Sequence, residues 1–149
     1  MHEREEQKQL REYIRLLERK LGALNDHEMS CCSITMAQCH AIVEIGRAGN
    51  ISLIDLANLL NLDNSTMSRT VNNLVNSDYV SRELSSVDRR YITISLTDKG
   101  SQLFNSIEDN MEEKFITIYD SIPENKRAQV LESLKLLSDA FNNCCSDLC

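Results

Sequence analysis

Hydrophobic residues recur along this chain with two different periods, and the change between them organises everything else. Leu10, Ile14, Leu17, Leu21 and Leu24 follow one another at steps of four and three, which predicts an amphipathic helix over residues 2–25. Charged residues such as Arg11, Glu12, Arg15, Glu18 and Arg19 occupy much of its remaining surface. A narrow apolar stripe of this kind suits packing against other helices, within the chain or from a second copy. Thr35 is placed to cap a helix running to about Ala48, with Gly49 ending it. Ser52 caps a short helix with inner face Leu53, Leu56, Ala57 and Leu60; Asn61 breaks it. Asp63 or Asn64 then caps a helix over about 64–77, whose inner face is Met67, Val71, Leu74 and Val75.

At residue 79 the period falls to two. Tyr79-Val80-Ser81-Arg82 reads as one strand and Tyr91-Ile92-Thr93-Ile94-Ser95-Leu96 as a second. The polar stretch Ser85–Arg90 between them makes a hairpin tip. Helical spacing resumes after Thr97, through Leu103, Ile107, Met111, Phe115 and Ile118 to about Ser121. Pro123 fits the first turn of a last helix carrying Val130, Leu134, Leu137 and Phe141. Two short helices joined by a tight turn, followed by a hairpin, predict a winged helix-turn-helix. The fold class is mainly α with a small β-wing. Long amphipathic N- and C-terminal helices flank the winged lobe, residues 35–100.

Three segments carry a family resemblance. Asp88-Arg89-Arg90-Tyr91-Ile92-Thr93-Ile94-Ser95-Leu96-Thr97-Asp98-Lys99-Gly100 resembles the wing signature of the multiple-antibiotic-resistance regulator (MarR) family: an Asp-x-Arg tip, an alternating strand, then Leu-Thr-x-x-Gly opening a helix. Ile34-Thr35-Met36-Ala37-Gln38 resembles the start of that family's second helix, and Leu53 through Leu74 its helix-turn-helix. The resemblance implies a homodimer in which the terminal helices, residues 1–34 and 101–149, interlock as a dimer body, each chain presenting one winged helix-turn-helix to double-stranded DNA at a pseudo-palindromic operator. It also implies a regulator of transcription, with repression the expected sign. Cys39 departs from the pattern, since the family usually has a large aromatic there, which leaves a family-like aromatic ligand pocket in doubt.

The candidate DNA-reading residues follow from groove chemistry. Ser65, Thr66 and Ser68 are short hydrogen-bonders for phosphates or base edges, and Arg69 has the fork that matches guanine O6 and N7. Asn72 is expected to pair with adenine, unless it and Asn73 are simply solvated. Arg89 and Arg90 tip the wing, where a narrow minor groove attracts inserted arginine. By the family pattern Arg90 is the inserted residue. Asp88 braces it, or the turn, through a charge-assisted hydrogen bond.

A net charge of −7 argues against nucleic acid until its distribution is considered. Residues 101–149 hold four Lys/Arg against nine Asp/Glu, and residues 52–100 five against six. Salt screens the distant acidity beyond about 8–10 Å. The charge leaves open a winged-helix adaptor that binds protein; cations at Arg69, Arg89 and Arg90 favour DNA.

The six cysteines, Cys31, Cys32 and Cys39 with Cys144, Cys145 and Cys149, fall in two clusters. With no secretory segment or ~20-residue apolar run visible, the cytoplasm is the expected location and a membrane is not a partner. Clustered thiols there suit a soft metal or metalloid such as trivalent arsenic, or an oxidant; His27 and His40 are placed to help bind zinc. Alternatively, Cys39 is a small buried hydrophobe, the terminal thiols belong to a frayed tail, and the effector is a small organic ligand. No cofactor is required. With histidines only at 2, 27 and 40, and neither C-x-x-C nor a phosphate loop, an enzyme is not expected.

Overall fold

The structure, a computed structural model, describes residues 1–148, apart from the side chains of residues 27–32 and 145–148. The elements in order are α1 (His2–Cys32), α2 (Met36–Ala48), β1 (Ile51–Ser52), α3 (Leu53–Leu59), α4 (Asn64–Asn76), β2 (Val80–Leu84), β3 (Ile92–Leu96), α5 (Asp98–Asp120) and α6 (Arg127–Leu148). The chain divides into two compact units, residues 1–104 and 105–149. The expected mainly helical class with a small wing is what the structure shows.

Caps define the helices of the first unit. Thr35 closes a capping box on α2: its Oγ1 accepts from Gln38 N at 3.2 Å, and Gln38 Oε1 accepts from Thr35 N at 3.0 Å. Ser52 Oγ accepts from Asp55 N at 3.0 Å at the head of α3. Asp63, rather than Asn64, caps α4. Gly49 ends α2 at φ 75°, and Asn61 makes the turn between α3 and α4 at φ 53°, both in the left-handed region that side chains resist. Across that turn Leu62 N donates to Ala57 O at 2.9 Å.

Ile42 and Ile45 of α2, Leu56 of α3, Met67, Val71 and Leu74 of α4, Val80 of β2 and Ile94 of β3 are all buried in one apolar core. The sheet has strand order β1-β3-β2 and is antiparallel throughout. β2 and β3 pair from Val80↔Leu96 to Leu84↔Ile92. The expected first strand, residues 79–82, therefore starts one residue later and runs two further, and Tyr91 lies outside the second. β1 escaped the sequence reading because two residues cannot display a period; it exists through its register with β3, Ile51↔Ile94.

Two glycines permit close approaches. A Cβ on Gly46 would lie 2.4 Å from the Phe104 ring. One on Gly100 would lie 1.9 Å from Tyr79 O. That second contact belongs to a joint in which the head of α5 clamps the chain entering the wing. Thr97 N donates to Tyr79 O at 3.0 Å, Thr97 Oγ1 to Asp78 O at 2.5 Å and Lys99 Nζ to Ser77 O at 2.9 Å. Thr97 Oγ1 also accepts from Gly100 N at 3.0 Å, so the expected cap of α5 is in place.

In the second unit, Pro123 lies outside the last helix and not in its first turn: it precedes a 3-10 turn, Glu124–Lys126, from which α6 emerges. Arg127 folds back on the end of α5, donating through Nε to Ile122 O at 3.1 Å and stacking over Tyr119 at 4.8 Å. A cation at a helix C-terminus matches the dipole there. The first helix also outran its expectation, continuing from residue 25 to Cys32.

Candidate nucleic-acid interface

The buried side of α4 fixes its opposite side. Met67, Val71 and Leu74 enter the core, so at 3.6 residues per turn Ser65, Arg69 and Asn72 line up one above another on the outer face. Arg69 is exposed, with Ser68 and Thr66 half-buried at the flanks and Asn73 exposed. The helix-turn-helix thus presents a polar face on the helix that enters a groove in this motif.

Hydrogen bonds decide what several of these groups offer. Asp63 Oδ2 accepts from Ser65 Oγ at 2.7 Å, and Oδ1 accepts from Thr66 N at 3.3 Å. Bonds from Thr66 and Ser65 hold the Asp63 carboxyl below its usual range, so it stays ionised at the positive end of α4. With its proton given to Asp63, Ser65 presents an acceptor outward. Asn72 is engaged as well: its Oδ1 accepts from Arg82 Nη1. The bidentate adenine pair expected of Asn72 needs that oxygen.

Arg82 is the residue that the sequence reading missed. Its signal was available in the strand period. Val80 faces the core, so Arg82, two residues on, shares the side of β2 that looks toward α4. It stands opposite the buried Ile94 in the ladder, with its head exposed beside α4.

At the wing tip, a turn organises the arginine. Ser85 Oγ accepts from Val87 N and Asp88 N, both at 3.3 Å, and Tyr91 N donates to Asp88 O at 3.0 Å. Asp88 Oδ1 accepts from Arg90 N at 3.0 Å and from its Nε at 3.1 Å, while Oδ2 accepts from Nη2 at 2.8 Å. The carboxylate therefore holds the backbone of the turn and the guanidinium together. The Arg90 side chain is nevertheless 86% exposed. Its fork is oriented from the protein side, and its remaining donors face solvent. Arg90 holds the Asp88 carboxyl below its usual range, and Asp88 pushes the guanidinium pKa up. Arg89 is exposed beside it.

Of the six cysteines, Cys39 is half-buried in α2 and Cys144 is exposed on α6. The side chains of Cys31, Cys32, Cys145 and Cys149 lie outside the described residues, as does that of His27. Among the described residues no group of three or more His, Cys, Asp or Glu is placed to hold a metal. No described helix is long and apolar enough to cross a membrane.

Comparison with known proteins agrees with this geometry. Residues 34–92 match the model of the MarR family. The chain is 23% identical over 110 residues to YfiV of Bacillus subtilis, named an uncharacterized HTH-type transcriptional regulator, covering 74% of this chain and 69% of that protein. FabT of Streptococcus pneumoniae, solved in complex with DNA, superposes with TM-score 0.85 at 21% identity, over 92% of this chain and 98% of that one. A mutant MarR of E. coli, solved with operator DNA, superposes with TM-score 0.73 at 22% identity, over 83% and 89%. At such identities the superpositions carry the fold, which is that of the winged MarR-type structures. Residues 34–92 thus match the MarR family, and the chain around them has the fold of its winged structures.

Proposed function

We propose that this protein is a transcription regulator that binds duplex DNA as a homodimer, with α4 in the major groove and the wing arginine in the minor groove. The observation that carries the reading is the pairing of a polar outward face on α4 with an Arg90 held in place by Asp88 at the tip of the hairpin. Orienting a guanidinium before contact reduces the ordering cost of binding. The DNA-bound relatives and the MarR model support the same assignment.

Homodimerisation is supported by unpaired apolar surface. Leu10, Tyr13, Leu17 and Leu21 on α1 are exposed, as are Phe115, Ile118 and Tyr119 on α5 and Leu131, Leu134 and Phe141 on α6. Apolar stripes of this extent on several helices mark association surfaces. In this reading residues 1–34 and 101–149 form the dimer body and residues 35–100 the DNA-binding lobe. Repression relieved by an effector is the proposed mode. The two cysteine clusters are the proposed sensor of a soft metal, a metalloid or an oxidant, tested by the response of a variant with all six changed to Ser.

The test of DNA binding is a salt titration of the full-length chain on a labelled duplex by fluorescence anisotropy. Each phosphate neutralised contributes about −0.9 to the slope of log K against log salt. Arg90→Ala in both subunits should weaken binding and flatten the slope by about 2. An unchanged affinity and slope would remove the wing from the interface.

A further inference from the structure

We propose that Arg82 acts with Asn72 as one donor-only reading unit, and that this unit directs the middle of α4 to guanine instead of adenine. The inference rests on the DNA-binding reading above and specifies which base that helix selects.

The argument starts from the chemistry of the contact. Arg82 Nη1 meets the side-chain amide of Asn72. A guanidinium has donors only, so the atom it meets is the amide oxygen and not the nitrogen. One of the two lone pairs of Oδ1 is engaged by Arg82, and the adjacent positive charge disfavours a second donor there, so the NH2 group is what Asn72 offers to a base, and that group donates. Arg82 retains Nε and Nη2, which also donate. The half-exposed Asn72 and the exposed Arg82 head thus lie on the outer face of α4, one turn beyond the exposed Arg69.

Base edges in the major groove then decide the match. Adenine shows an acceptor, N7, beside a donor, N6–H2, and its bidentate pair with asparagine uses both amide atoms. Guanine shows two acceptors, N7 and O6. A surface made only of donors leaves the adenine donor without a partner and satisfies both guanine acceptors. The positive charge of Arg82 adds to the same preference, since the guanine edge is the more negative one at these atoms. Breaking the Arg82–Asn72 bond releases the amide oxygen and restores the adenine pattern. Arg82 is therefore a positioning residue for Asn72 as well as a cation of the interface.

The experiment is selection of a randomised duplex library by the full-length chain, followed by anisotropy on selected duplexes with single base changes. Asn72→Ala locates the position, because its base preference alone disappears. Wild type should select guanine there. Arg82→Met, which keeps the aliphatic stem and removes the donors, should move the preference about tenfold towards adenine. Arg82→Lys, whose ammonium still donates to Oδ1, should retain guanine. A melting curve for each variant reports that the fold is kept, and the wild-type preference is decisive even without them.

Adenine selected by wild type would overturn the proposal. So would an Arg82→Met variant that keeps guanine and weakens every sequence equally, as loss of a phosphate contact does. An Asn72→Ala variant with unaltered selection would also overturn it. Failure of wild type to bind any duplex would instead refute DNA binding itself, so the two failures are told apart.

Discussion

Gly100→Ala tests the joint on which the wing is mounted. The new Cβ would sit 1.9 Å from Tyr79 O and 2.9 Å from its carbonyl carbon. Both atoms are backbone, so no side chain can rotate away; β2 and α5 must separate by more than an ångström. Overpacking of a closed site costs about 1–3 kcal/mol, and a backbone contact that cannot yield belongs at the upper end. Separation also stretches the bond from Thr97 N to Tyr79 O, now 3.0 Å, worth about 1 kcal/mol. Ala favours a helix over Gly by up to about 1 kcal/mol, which offsets part of this. The net destabilisation is about 2–3 kcal/mol, or about 6–10 °C in melting temperature for a chain of this size. Calorimetry at fixed protein concentration measures it, since association shifts the midpoint. Gly22→Ala is the control, because nothing lies within 4 Å of a Cβ there. A Gly100→Ala melt within 1 °C of wild type would refute the reasoning that close approach, rather than helix geometry, demands glycine at this position.

Three other outcomes follow from the same structure. Thr35→Ala breaks the capping box of α2 and should cost about 1 kcal/mol in a denaturant melt; no loss would show that the box is dispensable. Leu17→Glu places a charge in the exposed stripe of α1 and should weaken self-association about a hundredfold by sedimentation, because the loss occurs in both subunits; an unaltered dissociation constant would clear α1 of that role. The Asp88 carboxyl titrates below its ordinary 3.8 because Arg90 donates to it. A lowered carboxylate contributes above its ordinary pKa and loses its contribution as pH falls through the lowered one. The wing brace should therefore persist from neutral pH down through the ordinary carboxylate range. An NMR titration of Asp88 with a midpoint at or above 3.8 would contradict the brace.

Much of the fold was legible because local chemistry and periodicity agree. Thr35, Ser52 and Asp63 cap where short side chains precede an apolar run, Gly49 and Asn61 stop helices by adopting positive φ, and the switch of period at residue 79 marks the wing. What escaped depends on partners distant in sequence. Residues 25–32 carry no apolar stripe, so periodicity ended α1 early although the backbone stays helical to Cys32. β1 is defined by pairing with a strand some forty residues away. Pro123 was compatible with either a first helical turn or the residue before a 3-10 turn, and nothing local separates the two.

The candidate site divides in the same manner. Asp88 and Arg90 are two residues apart, so their ion pair was readable from the tip motif. Arg82 and Asn72 come together because β2 packs beside α4: the strand period places Arg82 on the inner side of β2 but does not say which residue of the helix it meets. The consequence is chemical. Asn72 read from sequence is an amide with both faces available; in the fold its oxygen already accepts from a cation. The proton of Ser65 is likewise committed to Asp63.

The most direct test of the account is the stoichiometry and footprint of the full-length chain on a selected duplex. Light scattering should give two chains per duplex, and hydroxyl-radical footprinting should protect two segments about 10 bp apart, as paired α4 helices in successive major grooves demand. One chain per duplex, or a single protected segment, would contradict the claim that this winged lobe reads DNA in duplicate.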